Sequence, residues 1–264
     1  MKKKNMLWLP ALLMTVLACS VLGTPAPDQP AVDVPTAAAV VDPNQPLSQS
    51  LTMQSSPVSE AGEAPPYTIN AQIPFLQGSD DVRVQNFNTY LKQVATSEMD
   101  AFREGTIANA SNPPIAAGSS FDLQYAVIGQ RGEVWSVKYS ISFYADGAAH
   151  PGHYSITINY DLANGREITL DELFISGSNY LQVISDACKA ELSTRGIGFE
   201  GFSTGADPLP ENFTNWNLSN EGLIITFDEY QVAPYAAGAQ VVTIPFSALQ
   251  SVINPDGVIV SFSQ

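Results

Sequence analysis

The sequence predicts an α+β protein in which an antiparallel meander sheet packs with two main helices. Three consecutive stretches between residues 121 and 162 alternate apolar and polar side chains, which is the period of strands that bury one face. Two other stretches, residues 82–104 and 179–195, carry apolar residues at helical spacing. Because these helices and strands do not alternate regularly along the chain, a parallel βαβ sheet is not expected.

The N-terminus has the pattern of a bacterial lipoprotein signal peptide over residues 1–18. Lys2–Lys4 precede the apolar run Leu7–Leu17, which is too short to span a bilayer as a mature helix. The run ends in Val-Leu-Ala-Cys, which resembles the lipobox cut before a lipid-carrying cysteine. We therefore expect Cys19 to be the lipid attachment site, anchoring the chain on the outer side of the cytoplasmic membrane in the cell envelope.

Residues 19–66 differ in composition from the rest of the chain. They contain nine prolines, separated mainly by Ala, Ser, Gln and Thr, and no Lys or Arg occurs between Asn5 and Val82. Such a stretch buries too little apolar surface to offset the entropy lost on ordering. The composition predicts a disordered tether between the lipid anchor and the folded part.

The first ordered element is expected to be a strand over residues 67–75. Ser79–Asp81 then offer N-capping side chains to a helix that should end near Gly105. We predict a small strand-helix subdomain over residues 67–147, joined to a larger C-terminal domain over residues 148–264.

The C-terminal domain should contain the second helix and several short strands. This helix, predicted over Asn179–Arg195, places Cys188 on its apolar face, so a buried and unreactive thiol is expected. With Cys19 acylated, no internal disulfide is expected. Short strands are predicted at residues 216–219, 223–228 and 239–244, with a last one at Val258–Phe262.

The two histidines of the chain, His150 and His153, flank Pro151-Gly152 in the stretch AHPGHYS. Pro fixes φ and Gly permits a positive φ, so a chain reversal between two strands is predicted. The histidines could be part of this structural corner, part of a binding surface, or ligands of a metal or catalytic site. Zinc needs three or four ligands, and the spacing selects no third one, so we expect no metal.

A second candidate is the loop EYQVAPYAAG at Glu229–Gly238. Tyr230, Pro234 and Tyr235 suit a contact surface, because tyrosine supplies a large contact area at low entropy cost. The alternative is that the two tyrosines attach the loop to the core.

Two longer stretches carry a family resemblance: AHPGHYSITINYDLANGREITLDELF at Ala149–Phe174 and FDEYQVAPYAAGAQVVTIPFSALQ at Phe227–Gln250. His-Pro before a strand, then Asn-Tyr-Asp-Leu-x-x-Gly, Thr-Leu-x-x-Leu-Phe and Tyr-x-x-x-Pro-Tyr-Ala-x-Gly, resembles the extracytoplasmic domain of RsiV-type anti-sigma factors. The strand and helix after Tyr67 resemble the small domain that precedes it there and in PdaC-type peptidoglycan deacetylases. The resemblance implies extracellular binding, since this region binds lysozyme in RsiV-type proteins.

The formal net charge of −15 argues against nucleic acid as a partner and permits a cationic one, although such a charge can also serve solubility alone. The sequence therefore predicts a lipid-anchored extracellular binding or sensing module, non-enzymatic and without a cofactor, for a lysozyme-like cationic protein or a peptidoglycan-related ligand. Two alternatives remain: a cell-wall hydrolase or deacetylase-associated enzyme that uses His150 and His153, and a structural envelope protein.

Overall fold

The computed structural model describes residues 47, 51–110, 114 and 118–262, and these residues form the predicted α+β fold. Cys19, the signal peptide and most of the predicted tether lie outside the described residues. No helix in the described part of the chain combines the length and apolar character that crossing a bilayer requires.

The larger sheet has six strands that follow one another in chain order. All neighbouring pairs are antiparallel except β2 and β3, which run parallel because a long helix crosses over between them. The strands are β1 (Thr52–Glu63), β2 (Pro66–Gln77), β3 (Ser119–Arg131), β4 (Val134–Tyr144), β5 (Gly152–Asp161) and β6 (Arg166–Glu167), and the helix is α1 (Val82–Ala108).

Helix α1 confirms the predicted apolar stripe. The side chain of Asp81 caps its first turn by accepting from the backbone N–H of Arg83 at 2.8 Å. The residues that the helix buries against the sheet are Val84, Phe87, Leu91, Ala95 and Met99, together with Arg83. The helix continues one turn beyond its predicted end at Gly105, which therefore lies inside it.

Strand β1 corrects the tether prediction over Thr52–Glu63, the part of residues 19–66 that forms a strand. It pairs with β2 along its whole length, from Thr52 opposite Gln77 to Glu63 opposite Pro66. Most of its side chains are exposed or half-buried. An edge strand of this kind is held mainly by main-chain hydrogen bonds, which composition does not reveal.

The second sheet has three antiparallel strands, β7 (Trp216–Leu218), β8 (Gly222–Phe227) and β9 (Gln240–Pro245). It shares an apolar core with α2 (Tyr180–Leu192) and with the short helix α3 (Phe246–Leu249). The strand predicted at Val258–Phe262 is instead a turn of 3₁₀ helix over Val258–Ser261, so that prediction is wrong. Its apolar residues are buried locally, and Ile259 and Phe262 belong to the second core.

The two cores divide later than the predicted boundary at residue 147. That boundary falls between β4 and β5, which pair from Val134 opposite Asp161 to Phe143 opposite Gly152. The first core takes its buried residues from Ile69 to Leu162, and the second takes nearly all of its buried residues from Ile168 onward. The meander is therefore one sheet, and the change of core follows β5.

A buried polar joint connects the two sheets. Ser136 Oγ donates to Asn159 Oδ1 at 2.7 Å and accepts from Asn217 Nδ2 at 2.9 Å and from the Leu218 N–H at 3.0 Å. Asn159 Nδ2 in turn donates to the carbonyl of Trp216 at 2.8 Å. These bonds fix the position of β7 against β4 and β5, and hence the position of the loops that the two sheets carry.

Candidate functional site

The histidine corner is the connection between β4 and β5. The ring of His150 stacks on that of Tyr235, with centroids 3.9 Å apart, and the hydroxyl of Tyr235 donates to the Pro151 carbonyl at 2.8 Å. Gly147 takes the positive φ of this turn, at 84°, whereas Gly152 does not, which corrects the predicted role of Gly152. Gly152 is needed for space instead, because a Cβ there would lie 2.7 Å from the ring of Phe143.

The loop Glu229–Gly238, which we call the tyrosine loop, connects β8 and β9. Its two tyrosines were predicted, as one alternative, to attach it to the core, but other residues do so. Val232 and Ala233 are the buried residues that anchor it. Tyr230 is 56% exposed, and its ring centroid lies 5.6 Å from that of Tyr235. Its hydroxyl is 3.5 Å from Nε2 of His150. His150, Tyr230 and Tyr235 thus form a stack of three rings at the surface, which we call the aromatic corner.

The backbone of Tyr230 is in the left-handed region, with φ of 68°, and Tyr230 is the non-glycine residue in the described part of the chain that is so placed. A bulky residue in this region costs about 1–3 kcal/mol and persists where the surroundings impose it. Here the conformation directs an exposed ring toward the aromatic corner, and not into the core. An arrangement of this kind is more common at functional surfaces than in ordinary loops.

His153 joins the same surface through Glu229. Its Nδ1 lies 2.8 Å from Oε1 of Glu229, and its backbone N–H donates to Oε2 at 3.2 Å. The Glu229 side chain is only 11% exposed, whereas that of His153 is 42% exposed. The carboxylate is therefore held in place by both contacts, with the imidazole between it and solvent.

A second carboxylate, that of Asp228, lies beside Glu229 in the chain. Its burial raises the pKa of the Asp228 carboxyl, and hydrogen bonds from Ser155 and the charge of Lys138 oppose this rise. Asn215 Nδ2 donates to Asp228 Oδ2 at 3.0 Å. Asp228 is therefore a half-buried carboxyl held by its own partners, and Glu229 is the acidic group that contacts the histidine corner.

The structure brings together all five residues predicted for the binding surface. Pro234 is exposed and precedes the 3₁₀ turn Tyr235–Ala237, which presents the Tyr235 ring to His150. Glu229 was predicted only as the first residue of the candidate loop, with no role or partner assigned to its side chain. Its partner His153 is 76 residues away, and nothing in the spacing indicates that pairing.

The two histidines were also considered as metal ligands. Across the described residues, no group of three or more His, Cys, Asp or Glu side chains lies together in a way that could hold a metal ion. His150 Nδ1 is 2.9 Å from the Pro151 carbonyl, and His153 Nδ1 faces Glu229. Cys188 is fully buried on α2, and burial raises the pKa of its thiol to about 12, which makes it a poor nucleophile.

Comparison with known protein families gives a match for the C-terminal part of the chain. Residues 171–247 match the DUF3298 family, described as a protein of unknown function. The DUF3298 match includes the tyrosine loop. It begins at residue 171, after the histidine corner, so His150 and His153 lie outside it. The pairing of the two loops is therefore seen in the structure of this chain and not in the family match.

Two curated relatives and two solved structures extend this comparison. The chain is 34% identical over 113 residues to an esterase of Mycobacterium tuberculosis, covering 41% of this chain and 48% of the esterase. It is 23% identical over 173 residues to the peptidoglycan-N-acetylmuramic acid deacetylase PdaC of Bacillus subtilis, covering 64% of this chain and 37% of PdaC. The chain therefore spans less than half the length of either relative.

Two DUF3298 crystal structures share the fold. The protein from Bacteroides fragilis has a TM-score of 0.64 at 16% identity, over 81% of this chain and 98% of that one. The protein from Pseudomonas aeruginosa has a TM-score of 0.57 at 17% identity, over 81% of this chain and 97% of that one. At such identities the likeness concerns the fold alone.

Proposed function

We propose that the chain is an extracytoplasmic binding or sensing module whose ligand is a cationic protein of the lysozyme type or a peptidoglycan-related ligand. The observation that carries this proposal is the aromatic corner, with Tyr230 exposed in a strained conformation beside the His153–Glu229 pair. The RsiV-like sequence pattern in Ala149–Phe174 and Phe227–Gln250 supports the same class of ligand.

The chemistry of the corner suits Lys and Arg side chains. Exposed tyrosine rings attract cations over their faces and lose little entropy on binding. Glu229 provides negative charge beside the rings, since it contacts His153 and its charge acts on the Tyr235 hydroxyl. The net charge of −15 would accelerate the approach of a basic partner, while the local contacts would provide the specificity.

The test is a titration of the mature chain with a cationic lysozyme at physiological salt. We expect Glu229→Gln to weaken binding at least tenfold, whereas Glu200→Gln, an exposed site outside the corner that loses the same charge, should change it less than twofold. Tyr230→Ala should weaken binding with little change in melting temperature, because this ring is exposed. Equal effects of the two Glu variants, or loss of all binding at physiological salt, would reduce the interaction to non-specific charge attraction.

The location of the module is part of the proposal. Cleavage before Cys19 and acylation of its thiol would place the folded part on the outer side of the cytoplasmic membrane. Labelled palmitate should be incorporated by the wild-type chain and not by Cys19→Ser. Fractionation of the unmodified precursor with the cytosol would contradict this location.

Hydrolysis is the second candidate function, and two observations favour it. His153 and Glu229 have the geometry of a base and the carboxylate that orients it, and one relative is an esterase. If an ester or cell-wall hydrolase activity is present, His153→Ala should abolish it while leaving the melting temperature nearly unchanged. If short-chain esters and cell-wall fragments are not cleaved and do not shift the melting temperature, the third hypothesis, a structural envelope protein, is favoured.

A further inference from the structure

A second site lies on the other face of β5, in a cavity between α1 and the six-stranded sheet. Its volume is about 390 Å³, within the range of pockets that hold small ligands. Helix α1 forms one wall, and the beginnings of β2 and β3, the end of β4, Tyr154 of β5 and the loops beside them form the others. Tyr154 points away from its neighbour His153, because successive side chains of a strand face opposite sides.

The walls of this cavity are aromatic. Phe102 of α1 and Phe121 of β3 have ring centroids 5.3 Å apart, and Phe143 of β4 meets Tyr154 edge-to-face at 6.0 Å. The phenylalanines provide apolar surface and π faces that attract cations. An occupant with an apolar body therefore fits the interior of the cavity.

The charge of the lining is negative. Glu98 of α1 lines the cavity and accepts from the Tyr154 hydroxyl through Oε2 at 2.6 Å, and Asp146 lies further along the same lining. The described residues that line the cavity include no Lys, Arg or His. A fatty acid or another organic anion would be repelled by these carboxylates, whereas an amine would be attracted.

We propose that this cavity binds organic cations with an apolar, ring-sized body, whose positive group lies near Glu98 and whose body packs among Phe102, Phe121 and Phe143. This site is separate from the aromatic corner and does not depend on the function proposed for it. No group of the tyrosine loop takes part in it.

Gly105 provides a test that does not depend on destabilising the protein. It lies within α1 and lines the cavity, and a Cβ built on it would meet no atom within 4 Å. Gly105→Leu should fill the cavity, and it should also favour the helix, since Gly is a poor helix former. Gly105→Ala is the matched control, because it gains helix propensity but leaves most of the cavity open.

The experiment titrates three probes that share one skeleton, namely 3-phenylpropylamine, 3-phenylpropanol and 3-phenylpropanoate, into the mature chain by NMR. We expect the amine to bind at least tenfold more tightly than the alcohol, and the carboxylate not to bind. Glu98→Gln should remove the preference for the amine and leave the affinity for the alcohol within twofold. Gly105→Leu should abolish binding of both, and Gly105→Ala should not.

Each other outcome overturns the proposal. Equal binding of amine and alcohol would make the cavity a neutral apolar site, and preference for the carboxylate would contradict the charge argument. Binding that survives Gly105→Leu would place the ligand elsewhere. Absence of binding by all three probes to the wild-type chain would remove the site altogether.

Discussion

Ser136→Ala is the sharpest perturbation of the buried joint between the two sheets. The serine hydroxyl serves three partners, Asn159 Oδ1, Asn217 Nδ2 and the Leu218 N–H. In the variant, Asn217 Nδ2 still donates to the Val137 carbonyl at 3.2 Å. The two buried groups that lose their hydrogen bond to the serine are Asn159 Oδ1 and the Leu218 N–H. At about 1–3 kcal/mol for each buried group left unsatisfied, the variant should lose about 3 kcal/mol of unfolding free energy.

For a chain of this size, such a loss should lower the melting temperature by roughly 6–12 °C. Urea unfolding followed by tryptophan fluorescence is the assay, because Trp135 and Trp216 lie beside the joint and are both buried. Ser140→Ala is the matched control on the same strand, since Ser140 is exposed and its loss should cost less than about 0.5 kcal/mol. If Ser136→Ala costs no more than Ser140→Ala, the joint does not hold the sheets together as argued.

Three further predictions concern individual side chains. The pKa of Glu60 is lowered to about 2 by hydrogen bonds from Arg103 and Tyr67, so the stability that it contributes should be complete above pH 4.5 and be lost as pH falls toward 2. Urea midpoints across this range should fall for the wild-type chain, and less steeply for Glu60→Gln. Tyr235→Phe removes the hydrogen bond to Pro151 and should cost about 1 kcal/mol in the same unfolding assay. The Cys188 thiol, with a pKa of about 12, should resist maleimide in the native protein and react rapidly in urea, as mass spectrometry would show.

The parts of the fold that are predictable from the sequence are those with a strong local period. Helix α1 buries Val84, Phe87 and Leu91 as its apolar spacing indicates, and the strands predicted between residues 121 and 162 form as β3 to β5. Burial alternates at the start of β3, whereas Val134–Val137 of β4 and Ile158–Asp161 of β5 are buried on both faces, because β7 packs against these strands. Strand β1 has no such period, because it lies at a sheet edge and pairs through its backbone. The apolar residues of Val258–Ser261 led to the prediction of a strand. This segment is a 3₁₀ turn that packs its apolar side chains against the second core.

The members of the candidate site were predictable, but their geometry was not. Residue chemistry indicated His150, Tyr230 and Tyr235 separately, and only the fold shows that their rings stack. The partnership of His153 with Glu229 joins positions on two sheets, and a single sequence contains no local signal for it. The same holds for the cavity beside Tyr154, whose walls come from a helix, four strands and the loops beside them.

The aromatic corner depends on both sheets, which limits what its two halves can do alone. The histidine corner follows β4, and the tyrosine loop follows β8, so the distance between them is set by the joint that Ser136 makes with Asn159 and Asn217. A protein that shared the tyrosine loop but lacked the histidine corner would keep the exposed tyrosines without the imidazole on which Tyr235 stacks. The match to DUF3298 spans residues 171–247, so it includes the tyrosine loop and not the histidine corner. Under the proposed function, substitutions at residues 150–153, which lie outside the match, should therefore change ligand specificity.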